Sequence, residues 1–381
     1  MLHSKVNLSY WEQQSFFVAL DVVIIGSGIV GLNAALHLKE KRPSLRILLV
    51  ERGVLPIGAS TRNAGFACFG SLSELLSDLE QHSESAVFDL LEKRWRGLQS
   101  LKAKLGNQVL DYHEWGGYEL FRPEDEEVYL KCCDAMGYFN QQLERVIGQR
   151  EVYRLADESI PAFGFREVNH LLLNRVEGQI HTGNMMRGLL HLARTAGIEI
   201  LNGLTIEQWE DGSHGVELCT KEGWTITTQK LLIATNGFAQ QLLPDIDLKP
   251  ARNQVLITQA IPELPFKGCF HYDSGYFYFR NIDQRILLGG GRNLALAEEQ
   301  TADFGSTPLI TSVLHRLLKT VILPDREVEV EQYWSGILGV GSQKNPIVRQ
   351  VSERVFAAVR MGGMGVAIGC LVGEQGAELM L

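Results

Sequence analysis

The stretch Asp21-Val-Val-Ile-Ile-Gly26-Ser-Gly28-Ile-Val-Gly31 decides how this chain folds. Its opening run is short, apolar and rich in β-branched residues, the composition of a parallel strand buried on both faces. Gly26, Gly28 and Gly31 follow at GxGxxG spacing, a helical stretch Leu32–Lys41 comes next, and Arg46-Ile-Leu-Leu-Val-Glu51 reads as a second buried strand. Together they make a βαβ unit with the turn of a dinucleotide-binding fold. Gly26 permits the tight turn, Gly28 admits a pyrophosphate close to the backbone, and Gly31 lets the helix pack on the sheet. Ile29 and Val30, between those glycines, offer backbone N–H groups to the phosphates. Glu51, expected to be exposed at its strand end, can accept hydrogen bonds from a ribose, and Arg52 stands beside it. A glycine turn without a ligand is the alternative, and the flanking strand and helix weigh against it.

The residues after Glu51 bear on which dinucleotide is bound. A nicotinamide-binding domain continues through compact βα units, whereas here Gly58-Ala-Ser60-Thr61-Arg62-Asn63-Ala64-Gly65 opens a long excursion. Its hydroxyl, amide and backbone groups suit the longer FAD, with a plain Asn/Gly-rich loop as the alternative. At the far end, strand Val355–Arg360 runs into Gly362-Gly363-Met364-Gly365 and a helix Val366–Leu379. That second helix N-terminus suits the negative charge that a reduced flavin gathers around N1 and O2. Gly365, Gly369 and Gly373 recur every four residues, which also fits close packing against another helix.

Composition narrows the class. The 381 residues are 45% hydrophobic and 21% charged, a globular balance with room for two or three lobes. A net charge of −9 and a pI near 5.6 predict no general affinity for nucleic acid or anionic lipid. The six cysteines include no CxxC pair and no His spacing of zinc type, so a reducing, cytoplasmic setting and no metal are expected. Residues 1–20 lack the pattern of a signal peptide. The apolar stretch 22–38 is broken by Ser27, Asn33, His37 and three glycines, so no membrane span is expected.

The fold class expected is α/β, or α+β overall: a Rossmann-like FAD-binding domain with a β-meander, interleaved with a second domain built on an antiparallel sheet with helices. Residues 1–85, 180–240 and 335–381 are assigned to the FAD-binding domain, and 86–179 and 241–334 to a substrate domain. Amphipathic helices are predicted around Phe88–Leu105 and Glu124–Ile147, and a capped helix over Thr182–Ala196 leads to strand Ile198–Leu201. The runs Thr205–Glu210, Gly215–Thr220 and Trp224–Thr228 make the meander and bring Thr205 and Ile206 to the cofactor. Leu231–Ala234 is a separate buried strand. Val255–Gln259, Gly275–Arg280 and Ile286–Gly290 form the antiparallel sheet, and the first domain resumes near Trp334.

Taken in order, several segments carry a family likeness. Ser9-Tyr-Trp11, Asp21 to Gly31, Gly58 to Gly65, Glu177-Gly-Gln-Ile-His181, Ala234-Thr235-Asn236-Gly237, Arg280 with Leu287-Leu-Gly-Gly290, Trp334-Ser-Gly336 and Gly362 to Gly369 are its parts. The chain resembles the D-amino-acid oxidase, glycine oxidase and sarcosine oxidase family of FAD-dependent oxidoreductases, in the branch that includes gamma-glutamylputrescine oxidoreductase. The resemblance spans nearly the whole sequence. It implies FAD, a small-molecule amine or amino-acid substrate, and oxygen or another electron acceptor. The reaction implied is oxidation of a C–N bond by hydride transfer to flavin N5, giving an imine that hydrolyses. Cofactor contacts are implied at Ala234 to Gly237, at Trp334 and Gly336, and at Gly363, Met364, Gly365 and Val366.

Period-two geometry puts Tyr276, Tyr278 and Arg280 on one face of their strand, and these are the candidate catalytic residues. Tyr276 matches a substrate-side tyrosine of glycine oxidase; Arg280 suits a substrate carboxylate or stands at the rim of an ordinary strand. Leu338 occupies the place of glycine oxidase's carboxylate-binding arginine. Ile286 to Leu288 has no counterpart of the lysine that monomeric sarcosine oxidase uses for oxygen, which leaves oxidase or dehydrogenase open. Ile337 to Gly341 has no counterpart of that enzyme's FAD-tethering cysteine, so non-covalent FAD is expected. Cys68 and Cys370 are expected near the cofactor, and His181 caps its helix or serves catalysis. A nicotinamide-dependent dehydrogenase and a flavin-binding subunit without its own turnover are the competing readings.

Overall fold

The computed structural model describes residues 7–381. The strand Leu20–Ile25 lies between two parallel neighbours, Ile47–Glu51 and Thr225–Ile233. Val22 and Ile24 therefore enter one core and Val23 and Ile25 another, which is why the run has no polar face. The helix that follows spans Ile29–Lys41 with Gly28 as its N-cap, three residues ahead of the predicted start. A β-carbon at Gly31 would sit 1.9 Å from the Gly26 carbonyl oxygen. Tertiary seating of the first helical turn thus overrides the poor helix propensity of glycine.

This first sheet runs Ile347–Gln350, Val355–Val359, Thr225–Ile233, Leu20–Ile25, Ile47–Glu51, Glu199–Asn202, with only its first pair antiparallel. The predicted strands Trp224–Thr228 and Leu231–Ala234 are one continuous strand, Thr225–Ile233. Its first half pairs antiparallel with Gly215–Thr220 in the meander, and its second half runs parallel to the first strand in the core. Gln229 and Lys230, which read as a break, are the point where it passes from the half-exposed meander into the fully buried sheet.

The C-terminal helix Gly365–Glu378 packs along Ile29–Lys41, and added β-carbons at Gly369 and Gly373 would meet Ile29 Cγ2 at 2.7 Å and the Val30 carbonyl at 2.5 Å. Close packing accounts for those two glycines; Gly365 faces the cleft described below. Helix Glu84–Leu105, expected to lie wholly in the second domain, serves both cores. Leu98 and Leu101 join the first core, while Val87, Phe88 and Leu91 pack with Tyr129, Phe139 and Leu143 of helix Glu126–Ile147.

The second sheet has eight strands in the order Val330–Val340, Lys249–Thr258, Arg285–Gly290, Phe277–Ile282, Cys269–Tyr272, Gly117–Phe121, His170–Asn174, Tyr153–Leu155. It is antiparallel except where Cys269–Tyr272 runs parallel to Gly117–Phe121, the join between two chain segments distant in sequence. One face is sealed by aromatic packing, with Phe270 and Phe279 stacked at 4.7 Å. Strand Val330–Val340 carries Trp334 and Gly336 and is paired with Lys249–Thr258 along its length, so these two residues belong to the second sheet. A short ribbon, Phe66–Ala67 with Gly178–Gln179, links the lobes: Ala67 enters the first core, and Phe66 packs on Tyr278. Among the described residues no helix is long and apolar enough to cross a membrane.

Candidate functional site

A cleft of about 1200 Å³ opens at the C-terminal ends of the parallel strands, the place where doubly wound sheets bind ligands. Gly26, Gly28, Ile29, Val30, Glu51 and Arg52 line it from the first βαβ unit, and Ser60 and Asn63 from the excursion. Thr205, Ile206 and the run Ala234, Thr235, Asn236, Gly237 close one side, and Gly363, Gly365 and Val366 close the far end. Phe238, Leu242, Ile337, Leu338 and Met361 add apolar lining. Sequence reasoning did not count Phe238, Leu242 or Met361, which belong to no polar or glycine motif, and named Ile337 and Leu338 only as positions that lack a relative's cysteine and arginine. Phe238 was within reach as the residue after Asn236-Gly237; the Arg52 guanidinium lies 3.7 Å from its ring centre.

Glu51 is buried, not exposed. Its carboxylate accepts from the backbone N–H and hydroxyl of Ser27 at 3.2 and 3.1 Å and from the Gly53 N–H at 3.0 Å. The parallel register that places Glu51 beside the glycine turn draws the side chain inward, so it shapes the turn as well as facing the cleft. Ser60 Oγ accepts from the Ile29 N–H at 2.9 Å, pinning the excursion to the start of the helix. The Thr235 hydroxyl is buried with no hydrogen-bond partner, an orphan donor and acceptor at the cleft wall. Added β-carbons at Gly58 and Gly363 would meet nothing within 4 Å, so both glycines leave room for a ligand along the backbone. An anionic, hydroxyl-bearing dinucleotide fits this donor set and these two helix N-termini.

The other expected cofactor residues sit behind the cleft and hold its wall. Gly31 is sealed under the helix. Arg62 donates to the carbonyls of Ile57 at 3.1 Å and Ser335 at 3.0 Å, and Trp334 Nε1 donates to the Arg62 carbonyl at 3.0 Å. Gly336 leaves space for Arg62, since its β-carbon would stand 3.4 Å from Arg62 Cβ. Thr61 donates to the Pro56 carbonyl, and the Gly65 N–H donates to Asn63 Oδ1. Ala64 accepts from Arg280, and Met364 is the N-cap of the C-terminal helix.

A second cavity of about 1130 Å³ adjoins the cleft at Asn63 and takes in Trp115, His181, Thr182, Arg280 and Trp334. Arg280 is buried; Nε donates to the Ala64 carbonyl at 2.5 Å and Nη2 to the Ile180 carbonyl at 3.0 Å. Tyr278 lies beside it on the same face, its hydroxyl accepting from Asn253 at 3.0 Å. Burial pushes the Tyr278 phenol well above its ordinary range. Tyr276 falls outside the strand, which begins at Phe277 because Asp273, Ser274 and Gly275 form a left-handed turn. It is 39% exposed and lines neither cavity. His181 caps its helix, Nδ1 accepting from the Asn184 N–H at 3.2 Å.

The cysteines correct another expectation, since neither Cys68 nor Cys370 lines the cleft. Cys370 packs between helices against Asn33 and Ser100, and Cys68 follows the short ribbon, beside Glu177 and His271. Burial pushes the Glu177 carboxyl up to about 7 against the opposing N–H donors of Gly70 and Phe69, and burial drives His271 down to about 4.

A parallel sheet with a glycine turn, an acidic strand end and a cleft running to a second helix N-terminus defines a dinucleotide-binding protein. The family model described as FAD dependent oxidoreductase matches residues 21–379; the chain belongs to that family, and FAD is its cofactor. The nicotinamide reading is thereby set aside. The chain is 28% identical to a probable oxidoreductase OrdL of Rhizobium meliloti, over 95% of this chain and 83% of that one. It is 22% identical to the gamma-glutamylputrescine oxidoreductase of Escherichia coli, over 95% and 84%. Among solved structures, glycine oxidase from Bacillus cereus superposes with a TM-score of 0.75 at 18% identity, covering 95% of this chain and 97% of that one. L-proline dehydrogenase from P. horikoshii gives 0.74 at 18%, covering 95% and 93%.

Proposed function

We propose that this protein oxidises the C–N bond of an amine or amino acid, with a hydride passing to the flavin N5 and an imine released for hydrolysis. The observation that carries the reading is the cleft itself, which runs without a break from Glu51 and Arg52 to Gly363 and Val366. Glu51 and Arg52 would hold the nucleotide end, and Gly363 to Val366 the end bearing the isoalloxazine. When bound, FAD supplies the two-electron acceptor. The chain's own part is to bind, orient and exclude water. Ile337, Leu338 and Met361 make the far end apolar, which disfavours an ammonium and helps present a substrate amine as the free base. Gamma-glutamylputrescine, glycine and L-proline, in the names of similar proteins, favour this substrate class.

Arg280 spends two nitrogens on carbonyls, and its Nη1 makes no hydrogen bond among the described residues. That nitrogen supports a substrate with an anionic group remote from the amine, as does Leu338 in the cleft. None of the six cysteines lines the cleft, which favours non-covalent FAD. Anaerobic mixing with a panel of amines, N-methyl amino acids and D-amino acids should bleach the oxidised flavin band with at least one of them. Readmitted oxygen then separates an oxidase, which regains the band quickly, from a dehydrogenase. A flavin that no amine reduces would favour a flavin-binding subunit instead, and flavin left on the acid-precipitated chain would overturn non-covalent binding.

A further inference from the structure

We propose that Cys68, Glu177, His271 and Cys269 form a binding site for a zinc ion where the short ribbon crosses the second sheet. The ligand atoms of Cys68, Glu177 and His271 lie within 4.8 Å of one another. Both thiols reach the same carbonyl oxygen, that of Gly178, Cys269 at 3.2 Å and Cys68 at 3.8 Å. Three segments far apart in sequence bring these donors together. Cys269 and His271 are two residues apart on one strand and so share a face. Cys68 follows Phe66–Ala67, and Glu177 precedes the paired strand Gly178–Gln179.

A second observation points to a ligand. His271 Nε2 is buried and has no hydrogen-bond partner, a condition that native interiors seldom tolerate. Glu177 is already oriented, since its Oε1 accepts from the Phe69 and Gly70 N–H groups at 2.7 and 3.0 Å. Such outer contacts are how proteins aim a metal-binding carboxylate. The ring of Phe66 covers His271 edge-on at 5.2 Å.

The donor set selects the ion. Two thiolates, an imidazole and a carboxylate suit a borderline-soft tetrahedral cation, and disfavour magnesium or calcium. Bonds of roughly 2.0 to 2.3 Å imply ligand-to-ligand edges of about 3.5 Å, so the Cys68, Glu177 and His271 donors must close by about 1 Å and Cys269 must swing in from the Gly178 carbonyl. Binding would release the two thiol protons, together with any proton on Glu177, to solvent. Two thiolates and a carboxylate around a dication leave one negative charge, which the guanidinium of buried Arg280, the residue directly across the strand pair from Cys269, would balance. The ion would fasten the ribbon to the second sheet.

The test uses the FAD-loaded protein, incubated with zinc chloride and freed of unbound metal by gel filtration. Wild type should retain about one zinc per chain, and a Cys68→Ser/His271→Ala double variant roughly a tenth or less with its FAD content unchanged. No retained zinc in wild type, or equal retention by the double variant, would overturn the proposal. So would a Cys68–Cys269 disulfide in place of free thiols. Should the double variant not fold, X-ray absorption on zinc-loaded wild type decides: sulfur and imidazole ligands support the site, and a shell of oxygen alone overturns it.

Discussion

Glu51 shows how much a single side chain can carry. Its carboxylate serves three donors in the glycine turn and still lines the cleft, so truncation should weaken both the fold and the cofactor site. Hydrogen bonds to a charged group are worth roughly 1.5–3 kcal/mol each way when lost. Glu51→Ala should therefore lower the unfolding temperature of the apoprotein and raise the Kd for FAD by about tenfold or more, read by calorimetry and flavin fluorescence. A normal apoprotein melting point with weakened FAD would mean that Ser27 and Gly53 do not depend on the carboxylate. Two glycines make the complementary pair. Gly31→Ala drives a β-carbon to within 1.9 Å of the Gly26 carbonyl and should cost about 2–3 kcal/mol or prevent folding. Gly58→Ala meets nothing within 4 Å and should change apoprotein stability by less than about 0.5 kcal/mol while weakening FAD binding. Chemical denaturation of both variants checks the contrast.

The loop from Gly58 to Gly65 makes its own turn, with Asn63 donating to the Ala59 and Ser60 carbonyls, and is fixed in place by other elements. Arg280 grips its Ala64 carbonyl, Trp334 grips Arg62, Arg62 reaches Ser335, and Thr182 donates to Asn63 at 2.9 Å. Arg280→Met removes the clamp that joins this loop to the Phe277–Ile282 strand and to Ile180. It should expose the loop to trypsin at Arg62 and raise the FAD Kd about tenfold, one clamp being worth about 1.4 kcal/mol. Tryptic resistance equal to wild type would show that the remaining ties suffice. The loop's composition announced a binding segment, yet its partners were illegible, because a hydrogen bond between positions 64 and 280 leaves no local pattern. The strand Thr225–Ile233 teaches the same lesson from the other side: two short runs looked separate because one element serves two environments.

At the scale of the whole molecule, distant segments are tied by charge. Glu74 on helix Leu72–Gln81 meets Arg94 on helix Glu84–Leu105 at 3.1 Å and Lys344 of the C-terminal segment at 3.2 Å. Burial alone would raise the Glu74 carboxyl, but the two cations outweigh it and hold it at about 2. The unfolded chain then takes up the proton first as pH falls. The stabilisation is complete above pH 4.5 and is lost as pH falls towards 2. With the side chain 26% exposed and partly screened, we expect about 2 kcal/mol in all. Glu74→Gln should be less stable than wild type at pH 6 and should lose less between pH 6 and pH 3, as urea unfolding at the two pH values will show. Parallel curves would place the acid sensitivity elsewhere.

The βαβ unit, the glycine turns and the ligand-facing roles of Gly28 and Ser60 were legible in the sequence by itself, whereas Asn236 and Gly363 entered through the family resemblance. Those signals are local: backbone freedom, apolar periodicity and the succession of strand, turn and helix act within a few tens of residues. Tertiary structure alone decided that Glu51 turns inward, that Tyr276 stands outside its strand, and that Arg280 is a clamp. It also decided that Cys68, Glu177 and His271 meet. Their proximity depends on how the short ribbon crosses the second sheet, and that crossing is set by the packing of two cores rather than by any spacing along the chain.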